Sequence, residues 1–194
     1  MEKENRVRFL EAQRVYLRPI LREDTPLLTC WVNDPSVYQY LDRCLPAMEA
    51  EEEAWIESLH KRIHENVVLM ICLVEGDRPI GTMGLHNIDH KNGTAVTGAL
   101  IGEKDCWSNG YGTEAKMVLL NYAFNTLNLR KVCSNVFAFN KRSRRYSEKC
   151  GYHIEGVLKK EHFAEGKYVD KVLMAVFKKD FMPLWRKFKK EHLS

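Results

Sequence analysis

The fold is decided by the segment Trp107-Ser108-Asn109-Gly110-Tyr111-Gly112-Thr113-Glu114-Ala115. It follows an apolar, strand-like stretch and leads into a run whose apolar residues have helical spacing. Glycines at 110 and 112 let the backbone turn tightly so that several N–H groups converge, and the N-terminus of the next helix adds partial positive charge. Such a turn binds phosphate. Two glycines also suit an ordinary tight turn, so the interpretation needs support from the flanking sequence.

The apolar spacing on both sides of this loop predicts alternating strands and helices. Before the loop we expect a strand, two helices and a three-strand meander, over residues 14–19, 24–33, 48–64, 67–75, 79–87 and 94–102. After it we expect a helix, a strand, a second helix and two closing strands, over residues 112–127, 131–137, 140–150, 153–162 and 168–177. Asn92-Gly93 is a hairpin signal, and Gly151 is a residue that commonly ends a helix. This order indicates an α/β protein with a mixed sheet.

A second polar motif lies in the helix predicted over residues 140–150. Asn140-Lys141-Arg142-Ser143 is followed there by Glu148-Lys149-Cys150-Gly151-Tyr152. At about 100° per residue, one face of the helix should carry Asn140, Ser143, Arg144 and Ser147. The opposite face should carry Arg142, Arg145 and Lys149, and we interpret the two arginines as solvated.

Together the two motifs resemble those of the GNAT acetyltransferases. That family has a pyrophosphate loop written as Gln or Arg, two residues, Gly, one residue, and Gly or Ala. It also has a helical segment of the type Asn-x-x-Ser/Ala…Glu-Lys-Leu-Gly-Phe. Trp107 departs from the first pattern, and W-x-x-G-x-G-T-E-A looks like the branch of ribosomal-protein N-terminal acetyltransferases and polyamine acetyltransferases. The resemblance extends from about Arg14 to Phe177. It implies a mixed, mostly antiparallel sheet of six to seven strands, with helices on both faces and a splayed central strand pair.

The resemblance also implies acetyl-CoA as co-substrate, without a metal. Backbone N–H groups of the loop would hold the pyrophosphate, with a contribution from Thr113. Backbone N–H groups around Leu100 and Ile101, before the loop, would serve the thioester carbonyl. In the second motif, Asn140 and Ser143 would bind the pantetheine arm and Arg144 would reach a phosphate. The binding residues expected from the loop itself are Trp107, Ser108, Asn109, Gly110, Tyr111 and Gly112.

The implied reaction is direct attack of an amine on the thioester, which needs a base for the amine and a hydrogen-bond donor for the thiolate. Aligned on Asn140, the slot where many members have a Tyr holds Ser147, with Tyr146 one residue earlier, and we predict Ser147 as the donor. The Glu that precedes the family's Ala-Glu-x-Gly glycine is replaced by Val96. We predict Glu161 as the base, with His162, His86 or a water-mediated route as alternatives.

Composition favours an ordinary soluble globular protein, with the cytoplasm as its expected location. The 194 residues are 45% hydrophobic and 29% charged, which suits one domain spanning residues 1–194. No apolar run approaches the roughly 20 residues of a membrane span, and residues 1–6 have mixed charge unlike a signal peptide. The six cysteines form no CxxC pair, so we expect free thiols, with Cys72 and Cys133 buried in strands.

The net charge of +4 is concentrated in the C-terminal segment, residues 178–194. A basic segment with aromatic residues could contact RNA. It also fits an amphipathic helix that packs Phe181, Leu184, Trp185 and Phe188 on the domain and leaves its lysines in water. We favour the packed helix, and the sequence lacks an RNP-type signature, so we do not expect a nucleic-acid partner.

The acceptor is the least determined part of the prediction. We expect a primary amine, with a protein N-terminus of ribosomal-protein type as the first candidate and a polyamine, aminoglycoside or amino sugar as the alternative. A catalytically idle CoA-binding regulator is a further alternative, because the family's Glu and Tyr are both replaced. The two N-terminal helices, with Trp31, Asn33, Asp34, Tyr38 and Tyr40, would contact the acceptor. The sequence leaves open whether the chain forms a homodimer.

Overall fold

A computed structural model describes residues 7–193, so residues 1–6, on which the signal-peptide argument rests, and Ser194 lie outside the described part. In chain order the elements are β1 (Leu10–Glu11), β2 (Val15–Pro19), α1 (Thr25–Asn33), α2 (Pro35–Tyr38), α3 (Glu49–Lys61), β3 (Val67–Leu73), β4 (Pro79–Asp89), β5 (Thr94–Ile101), α4 (Tyr111–Asn125), β6 (Lys131–Phe137), α5 (Lys141–Lys149), β7 (His153–Ala164), β8 (Lys167–Phe177) and α6 (Lys178–His192). Two 3-10 turns, Arg22–Asp24 and Lys104–Cys106, precede α1 and the Trp107 loop. None of the helices in this described part is long and apolar enough to cross a membrane.

The strands form one mixed sheet in the order β1-β2-β3-β4-β5-β6-β8-β7. Every neighbouring pair is antiparallel except β5 and β6, which are parallel. The sheet confirms the predicted fold class, with eight strands against an expected six to seven. The additional strand is the edge pair Leu10–Glu11, which bonds to β2. Two residues are too short to show an alternating pattern, which is why the sequence did not reveal it.

The central strand pair is splayed, as the resemblance implied. Pairing between β5 and β6 covers only Thr94–Val96 and Lys131–Cys133, although β5 continues to Ile101 and β6 to Phe137. Thr97 lies at the fork, and its hydroxyl donates to the Cys133 carbonyl at 3.1 Å. With its proton used there, the hydroxyl accepts from the Tyr152 phenol at 3.0 Å. Beyond this row the two strands leave a gap through the sheet.

Helices cover both faces of the sheet, and each face has its own apolar cluster. On one face α4 and α6 pack with Leu119, Phe124 and Phe181, all fully buried. On the other face α1 and α3 cover the first half of the sheet through residues such as Trp31 and Met70. The strand period of two separates these faces, because Met70 and Cys72 point one way while Leu69 and Ile71 point the other.

The C-terminal helix α6 packs its apolar side onto the domain. Phe181 and Phe188 are buried, and Trp185 stacks between them with ring centroids 6.1 and 5.7 Å away. Four of its cations, Arg186, Lys187, Lys189 and Lys190, lie exposed in the last turns, whereas Lys178 and Lys179 begin the helix and Lys178 donates to the Phe124 carbonyl at 2.7 Å. All six cysteines are free: Cys72 is buried as expected, whereas Cys133 is only half-buried.

Candidate active site

The Trp107 loop has the backbone conformation that phosphate binding requires. Ser108 and Gly110 both have positive φ, 64° and 87°, so successive N–H groups turn toward one point. The Trp107 indole donates to the Ile101 carbonyl at 2.8 Å and fixes the start of the loop against β5. Gly110 caps α4 and its carbonyl accepts from the Thr113 N–H at 2.9 Å, which leaves the N–H groups of Tyr111 and Gly112 without a backbone carbonyl partner among the described residues. The loop therefore offers a positive, N–H-lined concavity to an anion.

An ion pair behind the loop holds it in place. Glu114, in the first turn of α4, is buried and pairs with the guanidinium of Arg14, which enters from the start of β2. Its carboxylate also accepts from the Arg14 backbone N–H at 3.1 Å. The same guanidinium donates to the Asn109 carbonyl at 3.1 Å and lies 4.9 Å from the centre of the Tyr111 ring. Arg14 thus connects the sheet to both ends of the loop.

A cavity of about 1170 Å³ extends from this loop through the gap between β5 and β6. Of the expected cofactor-binding residues, those on its wall are Leu100, Ile101, Trp107, Ser108, Gly110, Gly112, Thr113, Asn140 and Ser143. Asn109 and Tyr111 are not on the wall. The Asn109 amide turns back to the Asp105 carbonyl at 2.9 Å, and the Tyr111 ring lies under Arg14. Any contribution of these two residues would come from the backbone.

The two residues expected at the thioester carbonyl face opposite ways along β5. The Gly102 N–H bonds to the Ile80 carbonyl on the β4 side at 2.9 Å. Because alternate residues of an antiparallel strand direct their N–H groups to the same neighbour, Leu100 also faces β4 and Ile101 faces the gap. The Ile101 N–H is therefore the group with access to a carbonyl in the cavity.

Helix α5 presents a different face to the cavity than the sequence predicted. Arg144 is exposed, pairs with Glu148 at 3.1 Å and is not on the cavity wall, so its expected phosphate contact is not supported. Arg142 and Arg145, interpreted as solvated, are on the wall. The Arg142 guanidinium lies 4.0 Å from the centre of the Trp107 ring. With Lys141 and Lys149, which are also on the wall, these two arginines form the group of α5 cations available to phosphates.

Ser147 does not reach the cavity, which contradicts its predicted role as the thiolate donor. It is 0% exposed and lies on the inner side of α5, where Lys116 of α4 donates to its hydroxyl at 3.4 Å. Tyr146 is on the cavity wall instead. The Lys116 ammonium is itself fully buried and lies 4.3 Å from the Tyr146 ring and 4.7 Å from the Tyr152 ring. Tyr146 and Ser143 are thus the hydroxyl-bearing residues that α5 brings to the cavity wall, and Tyr146 lies next to the position predicted for the donor.

Glu161, the predicted base, is also misplaced. It is exposed on β7 and absent from the cavity wall, because its neighbour His162 takes the inward position. The His162 ring stacks on Phe137 at 4.1 Å and its Nδ1 lies 3.2 Å from Asp42. His86 lies on β4 in register with Val96, the residue in the vacant Glu position. Its half-buried position lowers the pKa of the imidazole by desolvation.

The far end of the cavity is formed by residues of α2 and the segment that follows it. Val37, Tyr40, Leu41 and Asp42 lie there, opposite Phe137 and Lys171. Asp42 pairs with Lys171 at 3.4 Å as well as with His162. Of the residues expected to contact an acceptor, only Tyr40 is on this wall. Trp31 is buried and bonded to Glu103, and Asn33 bonds to Ala47. Asp34 pairs with Lys104, and Tyr38 is exposed. Residues 7–193 contain no cluster of His, Cys, Asp or Glu side chains placed to hold a metal ion.

Comparison with known proteins agrees with this geometry. A family profile described as Acetyltransferase (GNAT) domain matches residues 14–153. The chain is 27% identical over 174 residues to the uncharacterized N-acetyltransferase p20 of Bacillus licheniformis, covering 89% of this chain and 97% of that protein. It is also 27% identical over 174 residues to spermidine N(1)-acetyltransferase of Escherichia coli strain K12, covering 88% and 90%. A crystal structure of spermidine N-acetyltransferase from Vibrio cholerae in complex with CoA and spermine superposes with a TM-score of 0.79 at 22% identity, covering 87% of this chain and 98% of that one.

Proposed function

The chain belongs to the GNAT family of acetyltransferases. From that membership we propose that it acetylates a small primary amine that carries one positive charge in total. Acetyl-CoA is the acetyl donor and an amine is the acceptor. The observation that carries the finer proposal is the cavity itself. It joins the anion-binding loop to the Tyr40 and Asp42 end through the gap between β5 and β6.

The residues present fit acetyl-CoA along this path. The loop N–H groups would hold the pyrophosphate, and Arg142 and Arg145 would neutralise its charge. The Ile101 N–H would donate to the thioester carbonyl as charge develops on its oxygen. The Tyr146 phenol would donate a proton to the departing sulfur. Because a thiol is already acidic, this donor needs to supply only a modest part of the rate.

The charges at the acceptor end support a monovalent amine over a polycation. Asp42 is the carboxylate on that part of the wall; Lys171 already compensates it at 3.4 Å, and the His162 Nδ1 lies 3.2 Å from it. Asp34 nearby pairs with Lys104. A polyamine carries several ammonium groups that would each need an uncompensated carboxylate or aromatic face. The aromatic rings there already have cationic neighbours, since Arg142 lies 5.3 Å from the Tyr40 ring and Lys171 lies 6.0 Å from the Phe137 ring.

A thiol-release assay with a panel of acceptors tests the proposal. Coenzyme A and acetyl-CoA should first raise the melting temperature by mass action. Among amino sugars, aminoglycosides, spermidine, spermine and short peptides with free N-termini, a small monovalent amine should give the highest kcat/KM. A preference for spermine would contradict the charge argument, and a preference for peptides would move the acceptor to protein N-termini. A melting shift without thiol release from any acceptor would indicate an idle CoA-binding protein.

A further inference from the structure

The amine needs a base on the acceptor side of the sheet, and the family's usual Glu position holds Val96. A base in this protein must therefore come from another element. It must lie close to the fork where β5 and β6 separate, since the acceptor has to meet the thioester in that gap. Two titratable side chains lie in the β4–β6 part of the row at the fork, Cys133 and His86. Burial raises the pKa of the Cys133 thiol, which keeps it protonated near neutral pH, so His86 is the basic group there.

His86 lies in the row of residues at which the fork begins. It is paired with Val96 across the β4–β5 ladder, and Val96 is paired with Cys133 in the last row that joins β5 to β6. Residues directly opposite each other in a sheet point to the same face. The imidazole of His86 is therefore the side chain adjacent to the vacant Glu position, on the same side of the sheet.

That side is the one from which the acceptor end of the cavity is built. Thr82 on β4 pairs with both Met70 and Leu100, which pack in the cluster under α1 and α3. Every second residue of a strand points to the same face, so His86, four residues after Thr82, points to the face that α1 and α3 cover. Tyr146 comes from α5, on the opposite side with α4. Base and proton donor would thus approach the gap from opposite faces.

The imidazole is not itself on the cavity wall, but it lies against Gly98, which is, and so sits one residue behind the wall at the fork. A Cβ atom placed on Gly98 would lie 3.0 Å from His86 Nε2, so this glycine is what allows the ring to rest on β5. Gly98 is itself on the cavity wall, one alternation beyond the last paired row. The ring nitrogens have no hydrogen-bond partner among the described residues, which leaves Nε2 available to a ligand.

We propose that His86 is the general base of the acetyl transfer. The proposal rests on the amine acetyltransferase function. Nε2 takes one proton from the acceptor ammonium, and the nitrogen lone pair then forms the C–N bond to the acetyl carbon. The C–S bond breaks as the second nitrogen proton is lost to solvent, and the sulfur receives a proton from Tyr146, which solvent restores. The net products are the acetamide, the free thiol and one proton.

The surroundings keep this imidazole in its basic form near neutral pH. Burial lowers the pKa of His86 from its usual value near 6.5, and no charged neighbour contributes to the shift. The nearest positions are Val96 and Gly98 on β5 and Asn66 before β3, whose side-chain oxygen accepts from the Asn87 N–H at 3.3 Å. None of these residues titrates, and burial raises the pKa of the Cys133 thiol across Val96 in the same row, so no charged group adjoins the ring and the acidic limb of the rate profile should lie below pH 6.5.

The experiment compares pH profiles of kcat/KM for wild type, His86→Gln and the control His90→Gln, an exposed histidine in the turn after β4 whose ring lies 3.0 Å from the His64 carbonyl. At pH 7, His86→Gln should lower kcat/KM about 100-fold, since general-base catalysis contributes at least this much. Its acidic limb should disappear, and its rate should rise continuously with pH as the free amine accumulates. The melting shift with coenzyme A should match that of wild type, and His90→Gln should behave as wild type throughout.

Rescue separates a missing base from a disturbed strand. The double variant His86→Gln/Val96→Glu places a carboxylate on β5 directly opposite position 86. Its kcat/KM should be at least tenfold higher than that of His86→Gln alone, with a new acidic limb at lower pH. If kcat/KM of His86→Gln stays within threefold of wild type and the acidic limb is retained, His86 is not the base, while the proposed function stands. Absence of acetyl transfer by wild type to every amine would overturn the proposed function and the base together.

Discussion

Arg14→Met should destabilise the protein and weaken coenzyme A binding at once, because Arg14 holds the anion-binding loop from behind. The substitution keeps much of the aliphatic length while removing the guanidinium. It leaves the Glu114 carboxylate, whose side chain is 4% exposed, with only the Arg14 backbone N–H as partner. It also removes the donor to the Asn109 carbonyl and the cation over the Tyr111 ring.

The size of the effect follows from the exposure of the two partners. Removing one partner of a fully buried pair costs about 3–5 kcal/mol. Arg14 keeps 46% of its side chain exposed, so water screens part of the interaction and about 2 kcal/mol is expected. For a domain of this size that corresponds to a fall of about 4–8 °C in melting temperature. Loss of the Asn109 contact, at about 1.4 kcal/mol, should raise the coenzyme A Kd about tenfold.

The assay is a melting curve with and without coenzyme A, and Arg22→Met is the matched control. Arg22 pairs with Glu57 on the surface, where the side chains are 70% and 55% exposed, so the same chemical change should cost less than about 1 kcal/mol. Adding Glu114→Gln to Arg14→Met should recover part of the stability, because no buried charge is then left without a partner. Equal melting temperatures for Arg14→Met and Arg22→Met, or no recovery in the double variant, would refute this reasoning.

Three further predictions concern α5 and α6. Tyr146→Phe should lower kcat about tenfold at unchanged acetyl-CoA KM, whereas Ser147→Ala should leave kcat within twofold, as measured by thiol release. Arg142→Ala should raise the acetyl-CoA KM about tenfold because a charge-assisted contact is lost, and Arg144→Ala should not; equal effects would mean that the helix faces the cavity differently. Deleting residues 178–194 should produce an aggregating or unfolded chain, because the buried rings of α6 leave their cluster; a folded, active product by circular dichroism and thiol release would contradict the packing.

The anion-binding loop was predictable because its signals are local. Gly110 needs positive φ, the strand before it and the helix after it have clear apolar periods, and all three lie within one continuous stretch. The gap between β5 and β6 was accessible only through the resemblance. Its physical cause is the early end of pairing at Val96 and Cys133, residues far apart in sequence, and no local pattern reports where a ladder stops.

The acceptor end was poorly predicted because it is assembled from distant segments. Asp42 meets His162 and Lys171 across more than a hundred residues of chain, and each alone looks like an ordinary surface residue. Trp31 and Asn33 were expected to contact an acceptor because they are aromatic or polar and lie in the right helices. Trp31 instead packs in the core, and Asn33 bonds to Ala47 and so holds the segment before α3. Residue type identified the region but could not distinguish ligand contacts from structural ones.

The phase of α5 follows from a residue on another helix. Aligning the motif on Asn140 gives the period but not the side that is buried. In the structure the buried positions are Ser147 and Cys150, three residues apart, and the Lys116 side chain occupies the space beneath them. No carboxylate in residues 7–193 pairs with this ammonium. Its compensation is the pair of aromatic faces of Tyr146 and Tyr152.

The small side chain at 147 and the aromatic ring at 146 therefore depend on the same buried residue, Lys116. A tyrosine at 147 would have to displace Lys116, whereas a serine leaves room for its chain and accepts its hydrogen bond. The ring then lies one position earlier, where it covers the ammonium on one side and borders the cavity on the other. Relative to the family's Tyr slot, which holds Ser147, the tyrosine of this chain lies one residue earlier, next to the buried Lys116 of α4. The ring at 146 borders the cavity and has a positive charge against its face.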